Sequence, residues 1–395
     1  MIRKSLLLRI FDAAYIQRWN DKVRPMELAE LDKQAHKMVI AYFLGKHEEE
    51  TAGFDWIEII EGGLFELLQR IVLTDLKPPI FYKIKEHPDQ YRRLNEWVYR
   101  ELEPFISPLG REFCEKFHDY FSRETGTINR RILGAAHFSA TRWEFDIVER
   151  ANPEGYEIQS IRRRLSDKLG EYGDLKGIAH LAGQRPAGEF IDLCGQLRFQ
   201  IRWATFHRRP RTSVLGHSLF VALLMYFFSR EIGACGRRLR NNYFTGLFHD
   251  LPEVLTRDII SPVKRSVEGL KDLIKAYERE EMEKEVYRLI PEEWHREIRL
   301  FTEDEFESVV AVGKDRIKTT SDEISAKYNQ DVFDPRDGQL VKAADDLAAF
   351  IEASAAIRHG NQSLELMEAK LSIRNRYAKN VLAGINLGEI YADFE

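Results

Sequence analysis

Histidine and aspartate side chains gather in one stretch of the second half of the chain. His249 and Asp250 are adjacent in NNYFTGLFHDLPEVLTRD, and the isolated His217 lies on a long apolar segment upstream. One more acid, Asp345, follows in LVKAADDLAAFIEA. Two imidazoles and two carboxylates suit a divalent transition ion and leave coordination positions open for water and substrate. We therefore predict that His217, His249, Asp250 and Asp345 bind one divalent metal ion.

A second group of residues surrounds this predicted metal site. Glu253 lies one helical turn after His249 and Asp250, where it can orient a water molecule or accept its proton. A water molecule bound to a divalent ion loses its proton far more easily than bulk water, so it can attack phosphorus near neutral pH. Arg202 can bind a phosphate through its planar guanidinium, and the adjacent Trp203 can form an aromatic wall.

Two residues further along the chain complete the predicted site. Asp258 follows the helix that carries His249, and it can accept a hydrogen bond from a sugar hydroxyl. Lys264 adds local positive charge. We assign catalytic roles to Glu253 and Asp258, and substrate contacts to Arg202, Trp203, Asp258 and Lys264.

Each of these residues, taken singly, also has a structural interpretation. A lone histidine such as His217 on an apolar helix is more often a core residue than a ligand, and Trp203 is more often core than a substrate wall. Asp258 can cap the segment that follows it. Asp346 competes with its neighbour Asp345 for the same role. The prediction therefore depends on the combination and not on any one residue.

The composition indicates a globular protein of a reducing compartment. The chain has 395 residues, of which 44% are hydrophobic and 31% charged, and it is long enough for two domains. A net charge of −5 argues against a general nucleic-acid binder, and three widely spaced cysteines favour the cytoplasm. The longest apolar run, residues 219–228, is about half of the roughly 20 residues that a membrane span needs. We expect no membrane contact and no stable nucleic-acid complex.

Helical periodicity dominates the chain, and one pattern occurs twice. LRIFDAAYIQRWNDKVRP resembles CGQLRFQIRWATFHRRP, and GGLFELLQRIVLTDLKPPI matches TGLFHDLPEVLTRDIISPV without a gap. The same alignment pairs His36 with His217. A glycine-rich stretch, residues 152–188, separates the two copies. We predict an all-α fold of two tandem helical domains, residues 1–180 and 181–395.

The two copies differ at the residues that would bind the metal. Where the second copy has His249 and Asp250, the first has Glu66 and Leu67, and Arg70 replaces Glu253. A leucine cannot bind a metal ion, and an arginine cannot accept a proton at neutral pH. We therefore predict that the first domain is degenerate and binds no metal.

Together these features form a known pattern. The Arg-Trp dipeptide, His217 on its apolar helix, HDLPEVLTRD, SPVK and KAADDLAAF resemble the HD superfamily of metal-dependent phosphohydrolases, and within it the 5′-deoxynucleotidase branch. The resemblance covers residues 190–380 and implies two tandem HD-type domains, the first of them degenerate. It also implies metal ligation by His217, His249, Asp250 and Asp345, a catalytic Glu253, a sugar contact at Asp258, a phosphate contact at Arg202 and a pocket shaped by Trp203.

The resemblance implies removal of phosphate from a nucleotide, with a (deoxy)nucleoside 5′-monophosphate as the expected substrate. The ion would be one of Co, Mn, Mg, Fe, Ni or Zn. Two alternatives stay open: an HD phosphohydrolase acting on a nucleoside triphosphate or a signalling nucleotide, and a regulatory module that holds a metal but turns over little. A substrate panel separates the monophosphate hypothesis from the triphosphate or signalling-nucleotide hypothesis. Loss of the metal in His249→Ala, together with no phosphate release from any substrate by any preparation, would favour the regulatory module.

The chain departs from the pattern in three places. Gly216 stands where an acidic residue usually precedes the first histidine, which affects the expected support of His217. The region 265–335 carries a longer, highly charged helix than the small members of the family need, which can cap the site, bind a partner or form a solvated face. The chain is also about twice the usual length, so we expect a monomer in which the first copy packs where a second subunit would lie, with a homodimer as the alternative.

Overall fold

The computed structural model describes residues 2–74, 76–122, 126–181, 186–206, 208–257, 259 and 267–395. Helices make up most of these ranges, which confirms the predicted all-α class. The helices of the first half are α1 (Lys4–Phe11), α2 (Glu30–Glu48), α3 (Trp56–Val72), α4 (Pro78–Lys85), α5 (Pro88–Ile106), α6 (Arg111–Tyr120), α7 (Ile128–Ala151), α8 (Ile158–Gly170) and α9 (Ile178–Leu181). Those of the second half are α10 (Pro186–Gln196), α11 (Val214–Glu231), α12 (Gly236–Phe248), α13 (Glu253–Thr256), α14 (Leu270–Glu281), α15 (Glu292–Thr302), α16 (Ser321–Glu323), α17 (Gly338–Arg358), α18 (Leu364–Tyr377) and α19 (Leu387–Ala392).

Within the described ranges, two short antiparallel hairpins interrupt the helices, although the sequence shows no convincing strand alternation. The first pairs β1 (Ser308–Val312) with β2 (Asp315–Thr319), and the second pairs β3 (Val381–Leu382) with β4 (Ile385–Asn386). A two-residue turn closes each hairpin, with Gly313 at φ 63° in the first and Gly384 at φ 89° in the second. The turn glycines thus carry the hairpin signal, because strands this short hold too few residues for an alternating pattern.

Two helices, α2 and α11, lie side by side in the centre of the molecule. Every residue of α11 from Val214 to Ser229 is buried, so this helix has no solvent-facing side. It packs against α2, α12 and α17. One hydrophobic cluster takes members from both halves of the chain, from Ile2 to Tyr391. No helix in the described ranges, α11 included, combines the length and the hydropathy that a membrane span requires.

The close contact between α11 and α12 depends on Gly246. A Cβ atom at this position would lie 2.8 Å from both the Cα and the backbone nitrogen of Ala222 in α11. Backbone atoms of a buried helix cannot move aside alone, so the whole helix would have to shift. Because His249 follows Gly246 within one turn, the contact also fixes where His249 leaves α12 relative to α11.

We expect Gly246→Ala to lower the free energy of unfolding by about 1–3 kcal/mol, because the added methyl group overpacks the helix contact. Gly170→Ala is the matched control, since a Cβ atom there meets nothing within 4 Å. Losing a glycine restricts the unfolded chain, so this control should be neutral or slightly stabilising. Urea denaturation followed by circular dichroism measures both variants, and equal stabilities would contradict the close contact.

Candidate metal centre

Three helices bring the predicted ligands together. His217 lies in the first turn of α11, His249 directly follows α12, and Asp345 lies in the second turn of α17. Nε2 of His217 is 3.1 Å from Oδ1 of Asp345. One ligand atom from each of the three residues lies within 4.8 Å of the other two. Imidazole and carboxylate donors at this spacing can converge on one divalent ion.

Asp250 is next to this group of three. Its Oδ2 atom lies 3.3 Å from Nε2 of His249 and 3.7 Å from Nη1 of Arg202. The Asp250 side chain is 16% exposed, whereas that of His249 is almost fully buried. Asp250 therefore lies beside the three atoms that are mutually close, with the same side-chain exposure as Asp345.

The hydrogen bonds of His249 favour a cation at this position. Nδ1 of His249 lies 2.9 Å from the carbonyl oxygen of Gly246, so the Nδ1–H tautomer donates to that oxygen and leaves Nε2 as an acceptor. Among the described residues, Nε2 of His249 and Oδ2 of Asp250 are buried without a hydrogen-bond partner. A buried acceptor without a partner is costly, and a divalent ion would satisfy both atoms. The residues present thus fit a metal ion.

The charges around Asp345 keep it ionised. Burial raises the pKa of Asp345, but Lys342 and then His217 lower it, so the pKa lies well below its ordinary value. Nζ of Lys342 donates to Oδ2 of Asp345 over 2.9 Å. Burial and Arg202 lower the pKa of His217, but Glu352 and Asp345 outweigh them and the net shift is upward. The carboxylate is therefore available as a metal ligand across the physiological pH range.

Asp346, the sequence neighbour that competes with Asp345, faces a different helix. Its Oδ2 atom accepts hydrogen bonds from Nη1 of Arg376 at 2.7 Å and from the hydroxyl of Tyr377 at 2.8 Å. Both partners lie on α18. The carboxylate of Asp346 thus joins α17 to α18, and Asp345 is the member of the pair that lies near the two histidines.

Glu352 supports the site, and the sequence reasoning missed it. Oε1 of Glu352 lies 3.3 Å from Nδ1 of His217 and accepts the hydroxyl of Thr212 at 3.0 Å. The side chain is 1% exposed. A carboxylate at the second ring nitrogen orients a histidine ligand and fixes its tautomer. The available signal was the spacing, because Glu352 follows Asp345 by two helical turns and so lies on the same face of α17.

Arg202 and Trp203 both contact Glu352. The indole N–H of Trp203 donates to Oε2 of Glu352 over 2.7 Å, and Nε of Arg202 lies 3.3 Å from the same oxygen. Trp203 has a positive φ of 56°, which turns the chain at this point. Arg202, the predicted phosphate contact, and Trp203, the predicted aromatic wall, thus lie beside His217 and hold the carboxylate that contacts its ring.

The remaining predicted residues lie at one edge of the site or outside the described ranges. Glu253 begins α13 and is buried, and its backbone N–H donates to the carbonyl oxygen of Asp250 over 3.0 Å. The side-chain amide of Gln200 donates to the carbonyl oxygen of Glu253 over 2.9 Å. Asp258 and Lys264 lie outside the described residues.

The contacts around Glu352 recur in the first half of the chain. Nε of Arg18 lies 2.7 Å from Oε2 of Glu144, and the indole N–H of Trp19 donates to the same oxygen over 3.0 Å. Trp19 also has a positive φ, of 55°. Arg18 and Trp19 are the counterparts of Arg202 and Trp203 in the sequence repeat. The repeat continues in ILGAAHFSA, which resembles LVKAADDLA and pairs His137 with Asp345. Glu144 and Glu352 are separated by the same number of residues as His137 and Asp345.

The backbone pairing that leads into α2 and α11 also repeats. Gln17 pairs with Ala29, and Ile201 pairs with Ser213. The number of residues from Gln17 to Ile201, and from Ala29 to Ser213, is the same as from Arg18 to Arg202. The same interval aligns Lys33 with His217, whereas the expected partner was His36. The expected pairing matched one histidine to another, whereas the contacts follow position in the fold.

Lys33 takes part in a contact that corresponds to the one between His217 and Asp345. Nζ of Lys33 lies 2.8 Å from Nδ1 of His137, and Lys33 is fully buried. Nearby, Lys37 pairs directly with Glu66, the residue that the sequence aligns with His249. These groups therefore hydrogen-bond or pair with one another directly.

Comparison with known protein families agrees with the geometry of the second half. Residues 194–373 match the family described as HD domain, and this range contains His217, His249 and Asp345. None of the curated proteins matches the chain. The match supports placing residues 194–373 in the HD-domain superfamily, whose members are generally metal-dependent hydrolases.

Proposed function

We propose that this protein is a metal-dependent phosphohydrolase that removes the phosphate from a (deoxy)nucleoside 5′-monophosphate. The observation that carries the proposal is the group of His217, His249 and Asp345, two buried imidazoles and a half-buried carboxylate whose ligand atoms lie within 4.8 Å of one another. The HD domain match supports the general class of metal-dependent hydrolases. The nucleotide substrate follows from the resemblance of HDLPEVLTRD and the neighbouring segments to the nucleotidase branch.

In the proposed site, His217, His249 and Asp345 hold one divalent ion, and Asp250 is the fourth ligand. The ion is Co, Mn, Mg, Fe, Ni or Zn, because imidazole and carboxylate donors together suit this range. When bound, it supplies Lewis-acid chemistry by polarising a phosphoryl oxygen and lowering the pKa of a water molecule. Glu253, buried and anchored to Asp250 through its backbone, accepts the proton of the attacking water.

The substrate side of the proposed site begins at Arg202. Its Nε atom is near Glu352, and its Nη1 atom lies 3.7 Å from Oδ2 of Asp250, so the guanidinium reaches the metal group. A phosphate bound beside Asp250 would meet this guanidinium, which suits a planar phosphate contact. Trp203 shapes the adjoining wall. Asp258 and Lys264 keep their proposed roles at the sugar and as local positive charge.

We also propose that residues 1–180 are a degenerate copy of the HD-type domain and that the two copies pack as the subunits of a dimer would. Contacts between the halves occur in reciprocal pairs. Tyr42 packs on Phe244 with ring centroids 4.9 Å apart, and Tyr226 donates to Glu61 over 2.9 Å. Tyr42 and Tyr226 are counterparts in the repeat. Glu61 and Phe244 are also counterparts, although their separation in the chain is one residue shorter than that of the two tyrosines. Such reciprocity is what a two-fold interface produces.

Substitution of the proposed ligands should remove the metal. We expect His217→Gln and His249→Gln to lose bound metal after dialysis and to lose phosphate release, because each removes one donor from a small set. Glu352→Gln should bind Mn²⁺ about 10- to 100-fold more weakly, as a partner of a ligand does. Elemental analysis and calorimetry measure these effects. His118→Gln, an exposed histidine of the first half, is the control, and full metal content in His249→Gln would contradict the site.

A substrate panel tests the reaction itself. With Co²⁺ or Mn²⁺ added, we expect phosphate release from deoxynucleoside 5′-monophosphates and not from triphosphates or cyclic dinucleotides. Removal of the ion by a chelator should abolish the release, and the metal should restore it. Hydrolysis confined to triphosphates or cyclic dinucleotides would favour the alternative HD phosphohydrolase. Metal binding without release from any substrate would favour a binding module.

The proposed duplication predicts the assembly state. Because the first copy already covers the face that a second subunit would need, we expect a monomer of 46.2 kDa in solution. Size-exclusion chromatography with light scattering measures this mass. A stable dimer joined through residues 181–395 alone would contradict the proposed packing of the two copies.

A further inference from the structure

A carboxylate from the first half of the chain fills the space beside Gly216. A Cβ atom built on Gly216 would lie 2.5 Å from Oδ1 of Asp32, which is in the first turn of α2. Real Cβ atoms essentially never approach another atom so closely. Only glycine therefore fits at position 216 while Asp32 keeps its place, which gives a structural reason for the missing acid before His217.

Asp32 acts on the residue that caps α11. The hydroxyl of Ser213 donates to Oδ1 of Asp32 over 2.6 Å, and the same oxygen of Ser213 accepts the backbone N–H of Gly216 over 2.9 Å. Because the hydroxyl proton of Ser213 points to Asp32, a lone pair of the same oxygen is free to accept the backbone N–H of Gly216. A carboxylate near the first turn of a helix is also favourable, because the N–H groups there are partly positive.

The capped turn is the one that carries His217. The backbone N–H of His217 donates to the carbonyl oxygen of Ser213 over 3.0 Å. From this turn the imidazole reaches Asp345 on one side and Glu352 on the other. Any change at the cap therefore moves the ring relative to two residues of α17, and a ligand is sensitive to such movements.

Asp32 and Gly216 are also corresponding positions of the two halves, because the interval between them equals the one between Arg18 and Arg202. At a two-fold interface, a residue that meets its own counterpart lies on the axis. Two carboxylates cannot occupy the space that the distance of 2.5 Å leaves here. The first half supplies the aspartate and the second half supplies the glycine, so the two halves are not equivalent at this contact.

We propose that Asp32 of the first half is a positioning residue for the metal centre of the second half. It holds Ser213, which fixes the first turn of α11 and with it the ring of His217. The degenerate half thus contributes a side chain on which metal binding by the other half depends. This inference deepens the proposed function and rests on the proposed metal centre.

Calorimetric titration of the full chain with Mn²⁺ at pH 8 tests this role. We expect Asp32→Ala to weaken Mn²⁺ binding about tenfold, as loss of a group that orients a ligand does. Asp55→Ala is the matched control, because Asp55 caps α3 through the N–H of Ile57 and lies far from α11 in sequence. It should lower the melting temperature while the Mn²⁺ affinity stays unchanged.

An Mn²⁺ affinity of Asp32→Ala within twofold of the unmodified protein, with a loss of melting temperature like that of Asp55→Ala, would overturn the proposal. If Asp32→Ala does not fold, Ser213→Ala gives the same test, because it removes the hydrogen bond between Ser213 and Asp32 from the other side. An Mn²⁺ affinity of Ser213→Ala within twofold of the unmodified protein would then overturn the proposal. Since the readout is metal binding, failure of the nucleotidase proposal shows separately, as Mn²⁺ binding without phosphate release.

A second pair of variants tests the steric part. Gly216→Ala should weaken Mn²⁺ binding, because the new methyl group displaces the carboxylate of Asp32. In the Asp32→Ala background the space is open, so the same change should cost little further affinity. Equal additional losses in both backgrounds would show that the two positions act independently and would contradict the proposal.

Discussion

Burying a carboxylate is costly unless charges or hydrogen bonds compensate it, and Glu352 shows how this protein meets that requirement. Burial raises the pKa of Glu352, but Arg202 and His217 lower it by a larger amount, so the net shift is downward. Together with Trp203 and Thr212, these partners surround both carboxylate oxygens. The arrangement joins the chain before α11, the first turn of α11 and the middle of α17. Among the three predicted ligands near one another, it is His217 whose ring this side chain contacts.

The corresponding carboxylate of the first half, Glu144, keeps its arginine and tryptophan partners although the predicted metal ligands are absent. Arg18, and Arg198 from the second half, lie within 2.9 Å of its oxygens. Beside it, Lys33 contacts His137 directly, and burial holds the pKa of Lys33 well below its ordinary value. In the first half, arginine and tryptophan contacts to a buried carboxylate thus occur together with direct side-chain contacts at the positions where we propose an ion in the second half.

The two halves share one hydrophobic core, which explains how a residue of one can act on the other. α2 and α11 are buried along most of their lengths and pack against each other. Protein interiors are close-packed, so a displacement at the start of α2 is transmitted to α11. In the proposed scheme, the first half therefore has a positioning role, because its helix α2 packs against the helix that carries His217.

The sequence by itself was sufficient for the all-α class, because helical periodicity is a local property. The group of His217, His249 and Asp345 was predicted from the combination of these residue types and its resemblance to a known pattern, because the three residues lie on separate helices. Tertiary structure decided what depends on neighbouring helices. Sequence spacing could not show which of Asp345 and Asp346 is the predicted ligand. The structure shows it, because Asp346 accepts hydrogen bonds from Arg376 and Tyr377 on α18. Nor could sequence spacing show that Glu352 supports His217, or that Asp32 fills the space beside Gly216. A helix's sequence determines which residues share a face, but the packing of other helices determines which partners that face meets.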